Sequence, residues 1–477
     1  MIDFSDKGRW KAVLSRELER IAAQAGGVDY ADARIAASRS GVAGVSRGEK
    51  TFEAGESEGI AFRVLFNGAW GYASSSSVSK EDAADCAKRA LKAARATGNG
   101  RGTAKIKLAD ADFFEGDAEL LCKKSALDAD GEELLKISGE QYDRARGFGK
   151  KIADCKTALS FGRGILVFAN SEGIAASRTI ERTRFFTFVV AREGSVQREY
   201  VKSDGIVGGL ELLGGSKWQE HTDAACTRAV ELLSSVKTPL GPMPVVFRGS
   251  GGGTGLIAHE AVGHAVEGDY AASDRSFFNG KIGKEVASEE VSLIDDGSAG
   301  SGFGAIVFDD EGVVARKARL IDKGIFKTFL LDRQSAAHFG LEPTGNARAQ
   351  DQNRRVYVRM RNTYIEPGKW DAEEIVRDTK RGILCNHWKA GIEDPAGGSF
   401  QLFFTDGYLV ENGELTKSLY NISVSQPAAL DALKNVDAIG KDLSMDAGGC
   451  GKGHADYVSV GSGGPTMRIK SLIVGGA

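Results

Sequence analysis

The stretch GSGGGTGLIAHEAVGHAVEGD, residues 249–269, is a glycine run that leads into apolar residues and two histidines. The glycines let backbone pack closely at a helix entrance, and the residues that follow predict that helix. The run lacks the Lys-Ser/Thr of a phosphate-binding loop and does not fit a dinucleotide fingerprint, which argues against a nucleotide site. The stretch therefore predicts a helix whose polar side chains carry the chemistry.

The two histidines, His259 and His264, lie five residues apart, whereas H-E-x-x-H zinc sites space them four apart. On a regular helix, residues five apart diverge by roughly 140°, too far to share one metal. A π-turn absorbs the extra residue, a loosened helix end does the same, and Gly263 permits either. Glu260 would then take a proton from a water at the metal, and Glu267 or Asp269 would orient a ligand histidine. The spacing alone also allows two surface histidines that bind nothing.

A catalytic zinc site needs a third protein ligand and an open position. Cys450 stands out because it is flanked by glycines in DAGGCGKGHAD, which predicts an exposed loop thiol. The other five cysteines lie in helix or strand patterns that suit core thiols. The competing ligands are an acidic residue or another histidine: His221, His338, His387 or His454.

Outward from this stretch, Pro239, Pro242 and Pro244 mark a boundary, because three of the eight prolines fall together. Blocks of helix and strand precede it, with turn signals at Gly59 and Asn67-Gly68 and a helix capped by Ser79. Strands dominate after it. The pattern predicts an α+β fold. Residues 1–238 should form an antiparallel sheet with flanking helices, and residues 239–477 a mostly antiparallel β domain that carries the histidine helix.

Composition excludes several classes of protein. The net charge of -3 gives no basic surplus for nucleic acid. No apolar run approaches the roughly 18 residues of a membrane helix, and the first residues do not read as a signal peptide. The six cysteines form no C-x-x-C pair, which is typical of reduced thiols. We therefore expect a cytoplasmic protein without nucleic-acid or membrane partners.

Several separate motifs carry a family resemblance. They are HEAVGHAVEGD after GGGTGLIA, then RNTYIEPG, DGYLVENGELTKSL, and the closing CGK and VGSGGPTMRIKSLIVGG. Together they resemble the TldD/PmbA family, long labelled modulators of DNA gyrase. YADARIAASRS and GIAFRVLFNGAWGYASSSS resemble its opening sheet, so the resemblance covers nearly the whole chain. The H-E-x-x-x-H pattern resembles the TldD-type subunits rather than the PmbA-type (TldE) subunits.

The resemblance implies a zinc metallopeptidase that cleaves small or unfolded peptides, including the leader peptides of precursors. It implies Zn²⁺ bound by His259, His264 and Cys450, with Glu260 as the catalytic glutamate. It also implies a PmbA-type partner in a heterodimer, and a homodimer is the alternative. Three alternatives remain: another divalent ion, a non-catalytic peptide-binding or regulatory protein, and a gyrase- or DNA-binding regulator, which rests on the family label and gets no support from the charge balance. In the non-catalytic protein, a structural zinc would take His454 as its fourth ligand.

Overall fold

The computed structural model describes residues 6–24, 26–98, 105–214, 217–453 and 456–476. The α-helices are α1 (Lys7–Gln24), α2 (Lys80–Gly98), α3 (Gly131–Gly147), α4 (Lys217–Glu231), α5 (Gly253–Leu256), α6 (Gly268–Ala271), α7 (Arg333–Phe339), α8 (Ala372–Asp378) and α9 (Ala429–Lys434). Across these ranges, none of the helices combines the length and the hydropathy needed to cross a lipid bilayer.

The strands before the proline cluster are β1 (Val28–Ser46), β2 (Glu49–Phe66), β3 (Ala69–Ser75), β4 (Gly116–Leu120), β5 (Ile152–Asn170), β6 (Ala175–Glu193) and β7 (Val196–Val207). The strands from the proline cluster onward are β8 (Gly241–Phe247), β9 (Leu293–Asp296), β10 (Ala318–Asp322), β11 (Ile325–Phe326), β12 (Ala347–Arg348), β13 (Tyr357–Val358), β14 (Asn362–Ile365), β15 (Arg381–Cys385), β16 (Trp388–Glu393), β17 (Phe400–Glu411), β18 (Glu414–Gln426), β19 (Val436–Ile439), β20 (Ser444–Lys452), β21 (Asp456–Gly464) and β22 (Met467–Gly476).

The first seven strands form one sheet in the order β3-β2-β1-β5-β6-β4, with β7 also on β6. Its pairs are antiparallel except β4 with β6. The predicted hairpin is confirmed, because Asn67 and Gly68 join β2 to β3 with φ angles of 49° and 77°. The predicted cap is confirmed too, since the Asp82 backbone N–H donates to Ser79 Oγ at 2.9 Å. Helices α1 and α2 cover the sheet over a core that includes Leu14 and Phe62.

The predicted turn at Gly59 is wrong, because this glycine lies inside β2. A Cβ added there would overlap the side chain of Gln352 and lie 2.5 Å from the Ser75 carbonyl oxygen. Gly59 therefore serves close approach rather than chain reversal. The chain turns instead at Arg47 and Gly48, which have φ angles of 53° and 79°.

In the second half, β15-β8-β22-β18-β17-β16 form a sheet, and β15 pairs again with β17, which closes five strands into a small barrel. Strand β16 is left at the edge. A second sheet, β11-β10-β9-β14-β21-β20, packs beside the barrel and contains the parallel pair β14–β21. The predicted α+β class, with a largely antiparallel second half, is confirmed. The domain division between residues 238 and 239 remains a prediction; the chain changes sheet between Val207 and Gly241.

Candidate metal centre

The glycine run sets the histidine helix directly against a strand. Gly251 and Gly252 take left-handed φ angles of 87° and 77° just before α5 begins. A Cβ added to Gly255 would lie 2.8 Å from the Gly463 backbone nitrogen on β21. These positions need glycine for conformation and for contact, as the sequence predicted.

Helix α5 continues into a π-helix, Ile257–Gly263, and then a 3₁₀ turn, His264–Val266. The His264 backbone N–H donates to the His259 carbonyl, so the hydrogen bond itself spans five residues. The two imidazoles meet with ring centroids 5.1 Å apart at 89°. Of the two solutions that the spacing allowed, the chain takes the π-turn. Gly263 leaves room there for the buried Met360 side chain, whose sulfur an added Cβ would overlap.

Cys450 reaches this helix from strand β20 and is only 1% exposed. The expectation of an exposed loop thiol is therefore wrong. Its flanking glycines belong to the β20–β21 ladder, where a Cβ on Gly449 would overlap the ring of Tyr457. Cys450 Sγ lies 3.6 Å from His264 Nε2. One donor atom each from His259, His264 and Cys450 lies within 4.8 Å of the other two.

The charges of these three side chains depend on one another. Burial raises the pKa of Cys450, but His264 and then His259 lower it more, which leaves it well below its ordinary value. Burial lowers the pKa of each imidazole, whereas Cys450 raises it more. The two imidazoles therefore favour the thiolate form of Cys450. A thiolate with two imidazoles is a donor set that zinc accepts, so these residues fit the metal that the sequence predicted.

A buried ion-pair network supports His264 from behind. His264 Nδ1 lies 3.2 Å from Glu267 Oε2, which turns Nε2 toward Cys450. Glu267 Oε2 also accepts from Lys452 Nζ at 2.8 Å, and Lys452 donates to Asp269 Oδ1 at 2.6 Å. Of the two acids proposed from sequence, Glu267 therefore contacts the histidine and Asp269 contacts the lysine. Sequence reasoning missed Lys452, although it follows Cys450 by two residues on the same face of β20.

Glu260 has a second carboxyl beside it that sequence reasoning also missed. Carboxylate oxygens of Glu260 and Glu393 and a ring nitrogen of His264 lie within 4.8 Å of one another. Glu393 ends β16, far along the chain. Burial raises its pKa to about 7, with Glu260 adding to the rise and His264 opposing it. A carboxyl whose pKa is raised toward neutrality thus lies beside the predicted base.

The other candidate ligands lie elsewhere or outside the described residues. His221 Nδ1 lies 2.6 Å from Asp204 in the first half, and the ring of His387 packs against Tyr200 at 5.3 Å. His338 belongs to α7. His454 lies outside the described residues, so its relation to the site stays a prediction. The thiols Cys86, Cys155, Cys226 and Cys385 are buried in hydrophobic clusters, as predicted, and Cys122 is half-buried.

Known proteins have similar sequences and the same fold. Residues 240–476 match the PmbA/TldA metallopeptidase C-terminal domain, and residues 31–94 match domain 1. A metalloprotease of Methanocaldococcus jannaschii is 34% identical over 454 residues, covering 93% of this chain and 97% of that protein. A zinc metalloprotease TldD homolog of Saccharolobus solfataricus is 34% identical over 252 residues, covering 52% of this chain and 55% of that protein. The crystal structure of TldE from Thermococcus kodakarensis shares the fold, with a TM-score of 0.77 at 19% identity over 97% of this chain and 99% of that one.

These similarities and the shared fold place the chain in a family of metallopeptidases. The identity to the Methanocaldococcus metalloprotease extends over almost the full length of both chains. The chain belongs to the TldD/PmbA family, and the resemblance seen in its motifs is confirmed.

Proposed function

We propose that this chain is a zinc-dependent metallopeptidase that hydrolyses small or unfolded peptides. The observation that carries the proposal is the convergence of His259, His264 and Cys450 next to Glu260. Three protein ligands leave a tetrahedral ion one open position, as catalytic zinc requires. A closed structural site would need a fourth donor: none joins this group within the described residues, and the candidate His454 lies outside them. The glutamate beside the ligands also has no task in a purely structural site.

Zinc bound by these residues would polarise the scissile carbonyl and lower the pKa of a water molecule toward ~7. Glu260 would accept that water's proton and pass it to the leaving amine. In its protonated form, Glu393 would donate a hydrogen bond to Glu260 and orient it. Glu267 holds the ring of His264, and Lys452 keeps Glu267 charged. Because the Cys450 thiolate donates more charge than a third imidazole would, we expect a slow enzyme.

Strand β16 is the place where a peptide would bind. It pairs with β17 on one side; on the other, the Trp388 backbone N–H donates to the Gly251 carbonyl. Among the described strands, none pairs with the rest of that edge. Gly391 lies against Glu260, since an added Cβ would be 2.8 Å from Glu260 Cδ. An extended peptide that adds to this edge would pass the proposed base, bound by main-chain hydrogen bonds with little sequence preference.

We also propose a partner subunit of the PmbA/TldE type, with a homodimer as the alternative. The support is family membership and the fold shared with TldE. Size-exclusion chromatography with light scattering, on this chain alone and mixed with a PmbA-type chain, separates the two assemblies. A monomer in both samples would contradict the proposed assembly.

The experiment for the metal is elemental mass spectrometry of the protein purified without chelators. Wild type should hold about one zinc per chain, and Cys450→Ala should lose it. Cys385→Ala is the matched control, because it removes another buried thiol and should keep the metal. His454→Ala tests the fourth ligand: retained zinc supports an open site, and lost zinc favours the structural alternative. Wild type without metal would contradict the proposal.

The experiment for the chemistry is cleavage of an unstructured peptide, with the partner subunit present. Glu260→Gln should keep the zinc and lose activity by roughly 100-fold or more, because the proton acceptor is gone. The exposed Glu342→Gln is the matched control and should remain active. Cleavage by Glu260→Gln at the wild-type rate would refute the assigned role.

A further inference from the structure

A polar cavity of about 290 Å³, separate from the metal centre, lies between the N-terminal sheet and the second half of the chain. Four arginines line it: Arg34 on β1, Arg178 and Arg182 on β6, and Arg348 on β12. The acidic residues among its lining are Asp310 and Asp351. The lining thus has a surplus of two positive charges, although the whole protein carries a net charge of -3.

Two of these guanidiniums are held by carbonyl oxygens, which fix their position but neutralise no charge. Arg182 donates to the Phe303 and Ala305 carbonyls, each at 2.8 Å. Arg348 donates to the Met360 carbonyl at 2.6 Å and the Ser459 carbonyl at 2.8 Å. Arg178 pairs with Asp310 at 2.5 Å. Asp351 accepts hydrogen bonds from its own loop, at Gln350 and Asn353.

Arg34 has a buried donor without an acceptor. The residue is 4% exposed, and its Nη2 donates to the Arg354 carbonyl at 2.6 Å. Its Nη1 makes no hydrogen bond to any described residue and lies 4.0 Å from Asp310 Oδ2. Asp310 is also bound by Arg178, and a buried charged donor without a hydrogen bond is costly, so Arg34 Nη1 can take a further acceptor.

The directions in which two of these arginine pKa values shift agree with the geometry. Burial lowers the pKa of Arg348 to about 9, with Arg182, Arg359 and Arg178 adding to the drop. Burial also lowers the pKa of Arg182 to about 10, and Arg178 contributes. Arginines normally stay protonated far above these values, so the cluster carries positive charge that its surroundings do not compensate.

We propose that this cavity binds a small oxyanion with at least two negative charges, of the phosphate or dicarboxylate class. Guanidinium groups pair with such oxygens through parallel, charge-assisted hydrogen bonds. The volume is just below the roughly 300–1,000 Å³ of small-molecule pockets, which suits a small ligand. Gln350 and Tyr457 line the cavity and are exposed, so small solutes reach it from solvent. The proposal does not depend on the peptidase function, because none of the metal-centre residues lines this cavity.

The test is isothermal titration calorimetry of the full chain with inorganic phosphate and, separately, with succinate, at constant ionic strength. One saturable site for either anion supports the proposal. The anion that binds more tightly shows whether the ligand is a phosphate or a dicarboxylate. Arg34→Gln and Arg182→Gln should each weaken binding by roughly tenfold or more. The exposed Arg377→Gln is the matched control and should bind as wild type does. Cys450→Ala should also bind normally, because a phosphate on the metal centre would disappear in that variant.

Three results would overturn the proposal: no saturable binding of either anion, equal binding by both arginine variants and wild type, or binding lost in Cys450→Ala. If the arginine variants do not fold, the thermal unfolding of the wild-type protein tests whether the cavity binds an anion. Its melting temperature should rise saturably with phosphate above the curve in sodium chloride of equal ionic strength. Coincident curves for phosphate, succinate and chloride would refute the site.

Discussion

Replacing Lys452 by methionine tests the network behind the metal centre most directly. The Lys452 side chain is 2% exposed and pairs with Glu267 at 2.8 Å and Asp269 at 2.6 Å. Methionine keeps most of the side-chain volume and removes the charge. Glu267, which is fully buried, then loses its cation. Removing one partner of a buried ion pair costs about 3–5 kcal/mol of unfolding free energy.

For a folding unit of roughly 150–250 residues, such as the proposed domain 239–477, 1 kcal/mol shifts the melting temperature by about 2–4 °C. Lys452→Met should therefore melt roughly 10 °C below wild type. The exposed Lys434→Met is the matched control and should melt with wild type. Adding Glu267→Gln should restore much of the loss, since no buried carboxylate is then left at that position.

Circular dichroism melts with and without a chelator, together with zinc content, give the readout. Because Glu267 orients His264, both Lys452→Met and the double variant should hold zinc more weakly than wild type. The reasoning is refuted if Lys452→Met melts within about 2 °C of wild type, the shift expected for under 1 kcal/mol.

Three further predictions follow from single positions. Asp295 is buried against Arg361 at 2.6 Å; burial raises its pKa but Arg361 and other donors lower it more, to below the ordinary 3.8. The stability that Asp295 contributes is therefore complete above its ordinary pKa and is lost as the pH falls through its pKa in the folded protein. Asp295→Asn should therefore make the unfolding free energy fall less steeply at acid pH. An unchanged slope at acid pH would contradict this. Gly263→Ala should lower both stability, by about 1–3 kcal/mol, and zinc content, because its Cβ overlaps Met360; normal zinc content would count against the π-turn requirement. Gly391→Ala should keep the zinc but reduce peptide cleavage by roughly tenfold or more through displacement of Glu260, and unaltered kinetics would place the substrate elsewhere.

Local features of the chain were predictable to the extent that their causes are local. The hairpin at Asn67-Gly68 follows from residues that accept positive φ, and the cap at Ser79 from a hydroxyl next to free N–H groups. Gly59 misled the prediction because its role depends on Gln352, a partner far along the chain. A glycine that permits close approach has the same local signature as a glycine that makes a turn.

The same distinction between local and distant causes holds for the candidate site. Two histidines five residues apart can share a metal only on a π-turn or a loosened helix, but the sequence by itself also allowed two surface histidines that bind nothing. Cys450 stood out through its glycine neighbours, but they belong to the β20–β21 ladder, and Cys450 itself is buried. Its environment depends on the strand it pairs with, which local sequence does not specify.

From sequence alone came the α+β class, the histidine pair with Glu260 beside it, and the family that the motifs indicate. Only the tertiary structure brought Glu393 and Lys452 to that helix and gathered four arginines around one cavity. The physical reason is that helix and turn signals arise between neighbours in the chain, whereas a site is built from side chains whose distances are set by strand register and sheet packing.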